Sequence, residues 1–292
     1  MPYYTTLQAA RRQFSASVVT DDEALVDLMA DISDQIDAWC GQHFDPRIAT
    51  RYFNGEVGAT NPKLYLRMQP LLSVTTLLNG DGTAILPANY TLLPRGETPY
   101  QYIRLVDGQY WLAPYTTACS DVLLNAAYAD DAIAVTGVWG FHRTYSSAWK
   151  ASGITLGAAI TSTTGTTITL SAAGDTIDVG HLIQVDSEWM YVVGPIANTA
   201  QSLTLTVERG ANGSTAATHL IAAPISIWQV ERQIGRACRM WVAAALKAQE
   251  NPTGEVMNIT GIGTVSTKDM PEKVKDMLIA PFWNWMYGAA ER

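Results

Sequence analysis

Positive charge is scarce in this chain: 292 residues carry 19 Lys and Arg against 27 Asp and Glu, for a net charge of −8. That sign opposes a grip on phosphate backbones, where affinity comes from basic side chains displacing condensed counterions. It leaves room for an acidic surface past which DNA slides. Cysteine is rarer still: Cys40, Cys119 and Cys238 are odd in number and far apart. A disulfide framework is therefore not expected, and a reducing cytoplasm is. No window approaches the roughly 20 consecutive apolar residues of a membrane helix. The first residues also lack the basic-then-apolar order of a signal peptide, so neither membrane insertion nor secretion by that route is expected.

Reactive constellations are equally thin. The four histidines, His43, His142, His181 and His219, are widely separated and form no two-histidine helix motif. Cys40 and His43 could offer two ligands to one metal, but no second pair of similar spacing follows, so the cysteine reads as a buried residue at a helix end. Gly261 and Gly263 lack the third glycine and preceding strand of a dinucleotide fingerprint, and no phosphate-cradling glycine loop ends in Lys-Ser or Lys-Thr. Asp186 and Glu188 are neighbouring acids on a predicted hairpin, read as solvated rather than as a glycosidase pair. The chain is expected to be no enzyme, with no catalytic residue, no cofactor and no metal.

What the chain does have is periodicity. With 48% apolar and 16% charged residues it reads as folded. Over 20–41, Leu25, Leu28, Met29, Ile32, Ile36 and Trp39 recur at helical spacing, with Thr20 and Glu23 as a capping box and Gly41 as a stop. From 51 to 141 come short β-prone runs, with a turn at Asn79–Gly82 that offers the positive backbone angles of a hairpin. Thr, Ser, Gly and Ala dominate 149–226, which reads as a separate all-β unit with strands near 166–170, 182–185, 189–193, 203–207 and 224–227. Helical spacing returns at Ile227, Val230, Ile234, Trp241 and Ala245, and again at Val274, Met277, Leu278, Phe282 and Trp285. The predicted class is α+β: a helical core of three main helices with short strands and an inserted all-β module. The predicted divisions are 1–148, 149–226 and 227–292.

Aromatics are plentiful, nine Trp and thirteen Tyr. Phe282, Trp283, Trp285, Met286 and Tyr287 crowd the C-terminus and cannot all face one core, which makes them candidate anchors on another chain. Arg232, Arg236 and Arg239 fall on neighbouring positions of one predicted helix; the default reading is an exposed charged stripe opposite the core, and they are candidates to meet an acidic partner or DNA.

In order along the chain, YTTL at 4–7, DDEAL at 21–25, IDAWCGQHF at 36–44, RYF at 51–53, LYL at 64–66, PLLSVT at 70–75, YTL at 90–92, VTGVWG at 135–140 and MPEKV at 270–274 resemble the head-tail connector family of long-tailed bacteriophages, also called adaptor or head-completion proteins. GHLIQVDSEWM at 180–190 and LTVERGANGSTAATH at 205–219 are similar to small β-modules that recur in phage structural proteins. The resemblance implies a homo-oligomeric ring of about twelve subunits beneath the portal protein. Such a ring receives the next neck or tail-completion component, and DNA occupies its channel without sequence-specific binding. It also implies assembly in the host cytoplasm and residence at the virion neck. The alternative is a carbohydrate-binding β-module of a phage tail or baseplate, with Trp189, Tyr191 and Trp228 stacking on sugars.

Overall fold

A computed structural model describes residues 2–13, 22–56, 62–66, 69–112, 128–172, 177–195, 203–249, 257–259, 263–265 and 270–278. It divides the chain into a discontinuous unit, Met1–Asp45 with Ser146–Arg292, and a continuous unit, Pro46–Tyr145. The expected helical core is not what forms. Among the described residues the fold is mostly β, 35% strand against 27% helix, built on sheets of six, three and three strands. The amphipathic helices carry the strongest periodic signal in the sequence, but short strands, many with only half-buried faces, outnumber them.

The discontinuous unit opens with α1 (Leu7–Arg11), whose N-cap Thr6 accepts from the Ala9 N–H. Helix α2 (Asp22–Cys40) buries Leu25, Met29, Ile32 and Ile36 on one face, and Gly41 ends it at φ +62°. Trp39, expected on the apolar stripe, is instead 49% exposed. Thr20, the expected cap, lies outside the described residues.

In the continuous unit, strands β1 (Arg47–Glu56), β2 (Lys63–Tyr65), β3 (Leu71–Leu78), β4 (Tyr90–Leu93), β5 (Tyr102–Leu105) and β6 (Tyr128–Trp139) form two antiparallel sheets, ordered β1-β6-β3 and β2-β5-β4. Phe53, Leu77, Val135 and Trp139 of the first share one core with Leu64, Ile103 and Leu105 of the second and with the fully buried Trp111. At Gly137 a Cβ would lie 2.1 Å from the Ser73 carbonyl oxygen, so only glycine lets β6 approach β3 there.

The turn at 79–82 forms as expected, with Gly82 at φ +82° and an antiparallel bridge from Leu78 to Ala84. Its buried first residue does more than turn the chain. The Asn79 side-chain oxygen accepts from the N–H groups of Gly80 (3.0 Å) and Leu112 (2.8 Å), and its amide donates to the Tyr110 carbonyl at 2.9 Å.

Returning to the discontinuous unit, strands β7 (Trp149–Thr155), β8 (Thr167–Thr169), β9 (Leu182–Val185), β10 (Glu188–Gly194), β11 (Thr204–Glu208) and β12 (Pro224–Trp228) form an antiparallel sheet ordered β7-β12-β9-β10-β11-β8. Its two edges meet through a bridge between Leu156 and Leu170, flanked by bonds from the Gly157 N–H to the Thr169 carbonyl and from the Ser171 N–H to the Thr155 carbonyl, so at that end the sheet closes into a small barrel. Ile168, Ile183, Val185, Met190, Val192, Val207 and Ile225 are among its buried residues.

Helix α3 (Arg232–Gln249) starts later than expected, because Ile227 belongs to β12. It packs on α2, where Ser33 Oγ lies 3.7 Å from Cys238 Sγ. A hairpin of β13 (Met257–Ile259) and β14 (Gly263–Val265) follows, then a helical segment at 272–278 that buries Val274 and Leu278.

Asn79→Ala strands three backbone groups at once. It should destabilise the continuous unit by about 2–4 kcal/mol. Asn79→Asp, which keeps both acceptor contacts but sets a buried carboxylate oxygen against the Tyr110 carbonyl, should also destabilise it at neutral pH and recover in acid as the carboxyl is protonated. Urea unfolding of the three proteins tests this, and a loss below about 0.5 kcal/mol for Asn79→Ala would refute it.

Candidate functional site

Polar chemistry in the discontinuous unit concentrates in two buried networks. The first starts on β10. Alternation along that strand turns Glu188, Met190 and Val192 to the same face, and all three are 0% exposed. A bare carboxylate there would be prohibitively costly. Glu188 is instead saturated with donors. The Arg209 guanidinium donates to both its oxygens at 2.6 and 2.7 Å, the N–H groups of Gly210 and Ala217 donate at 3.1 and 2.9 Å, and His219 Nε2 lies 2.8 Å away. Burial alone would raise this carboxyl, but Arg209, the backbone donors and His219 outweigh it and hold it at about 2. His219 Nδ1 faces Asp186 at 2.7 Å, so both ring nitrogens are engaged by carboxylates. Of the two acids read as solvated, Asp186 is exposed, whereas the Glu188 side chain is fully enclosed.

The second network joins the barrel to the helices of the same unit. Asp37 near the end of α2 accepts from the Tyr4 hydroxyl, and its other oxygen lies 2.6 Å from His43 Nδ1. Tyr4 in turn accepts from the Phe44 N–H at 3.0 Å. Asp45 accepts from the Tyr191 hydroxyl at 2.9 Å and from the Asn212 amide at 2.8 Å. Burial raises the Asp37 carboxyl above its usual range despite bonds from His43 and Tyr4, and raises the Tyr4 phenol well above its own. Ligand atoms of Asp37, His43 and Asp45 lie within 4.8 Å of one another, a donor set with the chemistry to hold a divalent cation. Those same atoms already serve the bonds just described, so a cation would have to replace hydrogen bonds that tie helix to barrel.

Neither network places a hydroxyl or thiol nucleophile against a histidine. Burial pushes the thiols of Cys40 and Cys238 up to about 12, which leaves both inert at neutral pH. Cys40 and His43, considered as a ligand pair, diverge: the thiol is buried and the imidazole turns to Asp37. The rings proposed to stack on sugars are buried too. Trp189, Tyr191 and Trp228 are 4%, 2% and 3% exposed, Trp149 packs against both tryptophans, and Trp228 Nε1 donates to the Phe44 carbonyl.

Among the candidate partner residues, Arg232 and Arg236 are exposed one turn apart on α3 and Arg239 is half-buried. Phe282, Trp283, Trp285, Met286 and Tyr287 lie outside the described residues. Comparison of the chain with protein-family models and with curated proteins finds no match.

The barrel should therefore lose stability in acid in two windows. His181 accepts from the Asp178 N–H through Nδ1, and burial lowers it to about 4. Because that folded value lies below the unfolded value of about 6.5, its contribution is lost as pH falls from about 6.5 to 4. Glu188 contributes above about 4.5, and that contribution is lost as pH falls towards 2. Thermal unfolding across pH should show both declines, and His181→Gln should remove only the upper one. Arg209→Met, which leaves Glu188 buried without its cation, should cost about 3–5 kcal/mol at pH 7. A near-neutral effect would show that the clamp is not structural.

Proposed function

We propose that this chain is a structural, non-enzymatic head-tail connector of a tailed bacteriophage. It assembles as a ring under the portal protein, joins it to the next neck or tail component, and lets DNA pass through the channel. The observation that carries the reading is where the resembling residues lie. Tyr4, Asp37, His43 and Phe44 make one buried network, and Glu188, Arg209, Gly210 and His219 make the other. The resemblance thus rests on residues that determine the fold rather than on scattered surface positions.

Charge supports the reading as well. The continuous unit carries seven Lys and Arg and seven Asp and Glu, so the whole excess of 27 acidic over 19 basic side chains falls on the discontinuous unit. An acidic lining repels the backbone of passing DNA and keeps it from adhering. The aromatic C-terminus, with Phe282, Trp283, Trp285, Met286 and Tyr287, supplies portal-facing anchors in this scheme.

Mixing the protein with the portal ring of its own phage and measuring mass by native mass spectrometry tests the proposal. About a dozen copies should add to each portal ring, and truncation before Pro281 should weaken that attachment while leaving the far-ultraviolet circular dichroism of the barrel and helices unchanged. A protein that ignores portal rings at micromolar concentration would overturn the connector reading.

A further inference from the structure

Helix α2 presents to solvent a row at four-residue spacing, Glu23, Asp27, Asp31, Gln35 and Trp39, every one exposed. Its 19 residues contain no Lys or Arg, and neither Asp27 nor Asp31 forms an ion pair with a described residue. Like charges four apart each destabilise a helix by about 0.2–0.5 kcal/mol. This row therefore works against the helix that carries it, and it ends on a large aromatic that is 49% exposed.

The continuous unit carries a face of matching character. In the sheet β2-β5-β4, Leu64, Ile103 and Leu105 point into the core, so the alternate residues point outward. The register sets Lys63 beside Arg104 and Arg104 beside Thr91, and in the next row Tyr65 beside Tyr102 and Tyr102 beside Leu93. Lys63 Nζ lies 5.4 Å from the centre of the Tyr102 ring, and the Tyr65 and Tyr102 rings are 5.7 Å apart. Next to the basic row is a pocket of about 380 Å³ whose lining joins the apolar Leu93, Leu105 and Val106 to Arg95 and Arg104, with Thr91 and one acid, Asp107. Arg95 and Arg104 are exposed and have no ion-pair partner among the described residues.

We infer that this sheet face receives the α2 ridge of a second copy of the chain. Trp39 enters the pocket between Arg95 and Arg104, and Asp31 and Asp27 meet the row of Arg104 and Lys63. An aromatic in a pocket flanked by guanidinium groups combines burial with cation–π attraction, and the charged rows fix direction. The two surfaces are different patches of one chain, so the contact is heterologous. It propagates head to tail until a ring closes. The inference rests on the ring reading above and supplies the contact that builds it.

Charge reversal tests it in the full-length chain. At about 10 mM salt, where exposed charges act over long range, sedimentation should show wild-type self-association that weakens at least about tenfold when salt is raised to about 0.5 M. Lys63→Glu with Arg104→Glu should abolish it, and so should Asp27→Lys with Asp31→Lys, each with unchanged circular dichroism. Trp39→Ala, a milder change, should weaken it in the same assay. An equimolar mixture of the two reversed proteins should regain wild-type mass, because each supplies the complement that the other lacks at both junctions.

A wild-type chain that stays monomeric at about 1 mM in low salt, or a mixture that stays monomeric, overturns the inference. So does a sheet-face reversal that loses binding of a single-stranded oligonucleotide while self-association persists, which would make the face a nucleic-acid platform. Portal binding measured alongside separates the two readings. Portal attachment with association insensitive to reversal leaves the connector and removes this contact. Rescued association in a chain that ignores portal rings does the opposite.

Discussion

A carboxylate with no exposure to water organises the discontinuous unit. Glu188 sits where strand alternation turns it inward, and a charge there is tolerable only if every lone pair is met. The donors come from one stretch of chain: Arg209, Gly210, Ala217 and His219 all converge on it. That requirement dictates the path of the loop between β11 and β12. Gly210, Asn212 and Gly213 take left-handed backbone angles, which bends the segment tightly enough for side chain and backbone to reach the same two oxygens.

The same loop transmits the constraint to the helical layer. Asn212, fixed by its neighbours, donates to Asp45 and to the Tyr191 hydroxyl, and Ser214 holds the Trp189 backbone N–H. Asp45 follows closely on the end of α2, where Asp37, His43, Tyr4 and Phe44 form their own closed set. Loss of the Glu188 clamp would therefore loosen the seat of α2 as well as one end of the barrel. Networks of this kind bring geometric specificity more than net stability, because dehydrating the charges offsets much of the attraction between them.

The sequence was most legible where one period ran without interruption. The apolar positions of α2 marked a buried face, and the runs at 182–185 and 224–227 coincide with or nearly match strands β9 and β12. It misled where two periods overlapped. Ile227 and Val230 continue the helical spacing of Ile234 backwards, yet pairing of Ile227 with Ile183 in the barrel wins because it buries the side chain on both sides of the chain. Trp39 fits the apolar spacing of α2 but lies one position past the buried arc, on the acidic row. Helix α1, five residues long, is too short for any periodicity to show and is held by the Thr6 cap and the packing of Leu7 and Ala10.

The buried networks were hidden for a different reason: the partners of Glu188 lie 21 to 31 residues from it in sequence, and in the second network Tyr191 and Asn212 lie 146 and 167 residues from Asp45, so only the tertiary fold brings them together. One signal was available, since Glu188 shares its alternation with Met190 and Val192, and an acid on an inward position demands a cation. Arg209, directly after β11, is the cation that answers it. The wider lesson concerns where charge is left unanswered. Inside the barrel each charge is matched to its donors, whereas Asp27 and Asp31 on α2 and Arg95 and Arg104 on the sheet face have no ion-pair partner among the described residues. Buried charge is answered locally while exposed rows of opposite sign are not, and rows of that kind set the direction of an encounter more than its strength, which is the physical basis of the self-contact inferred above.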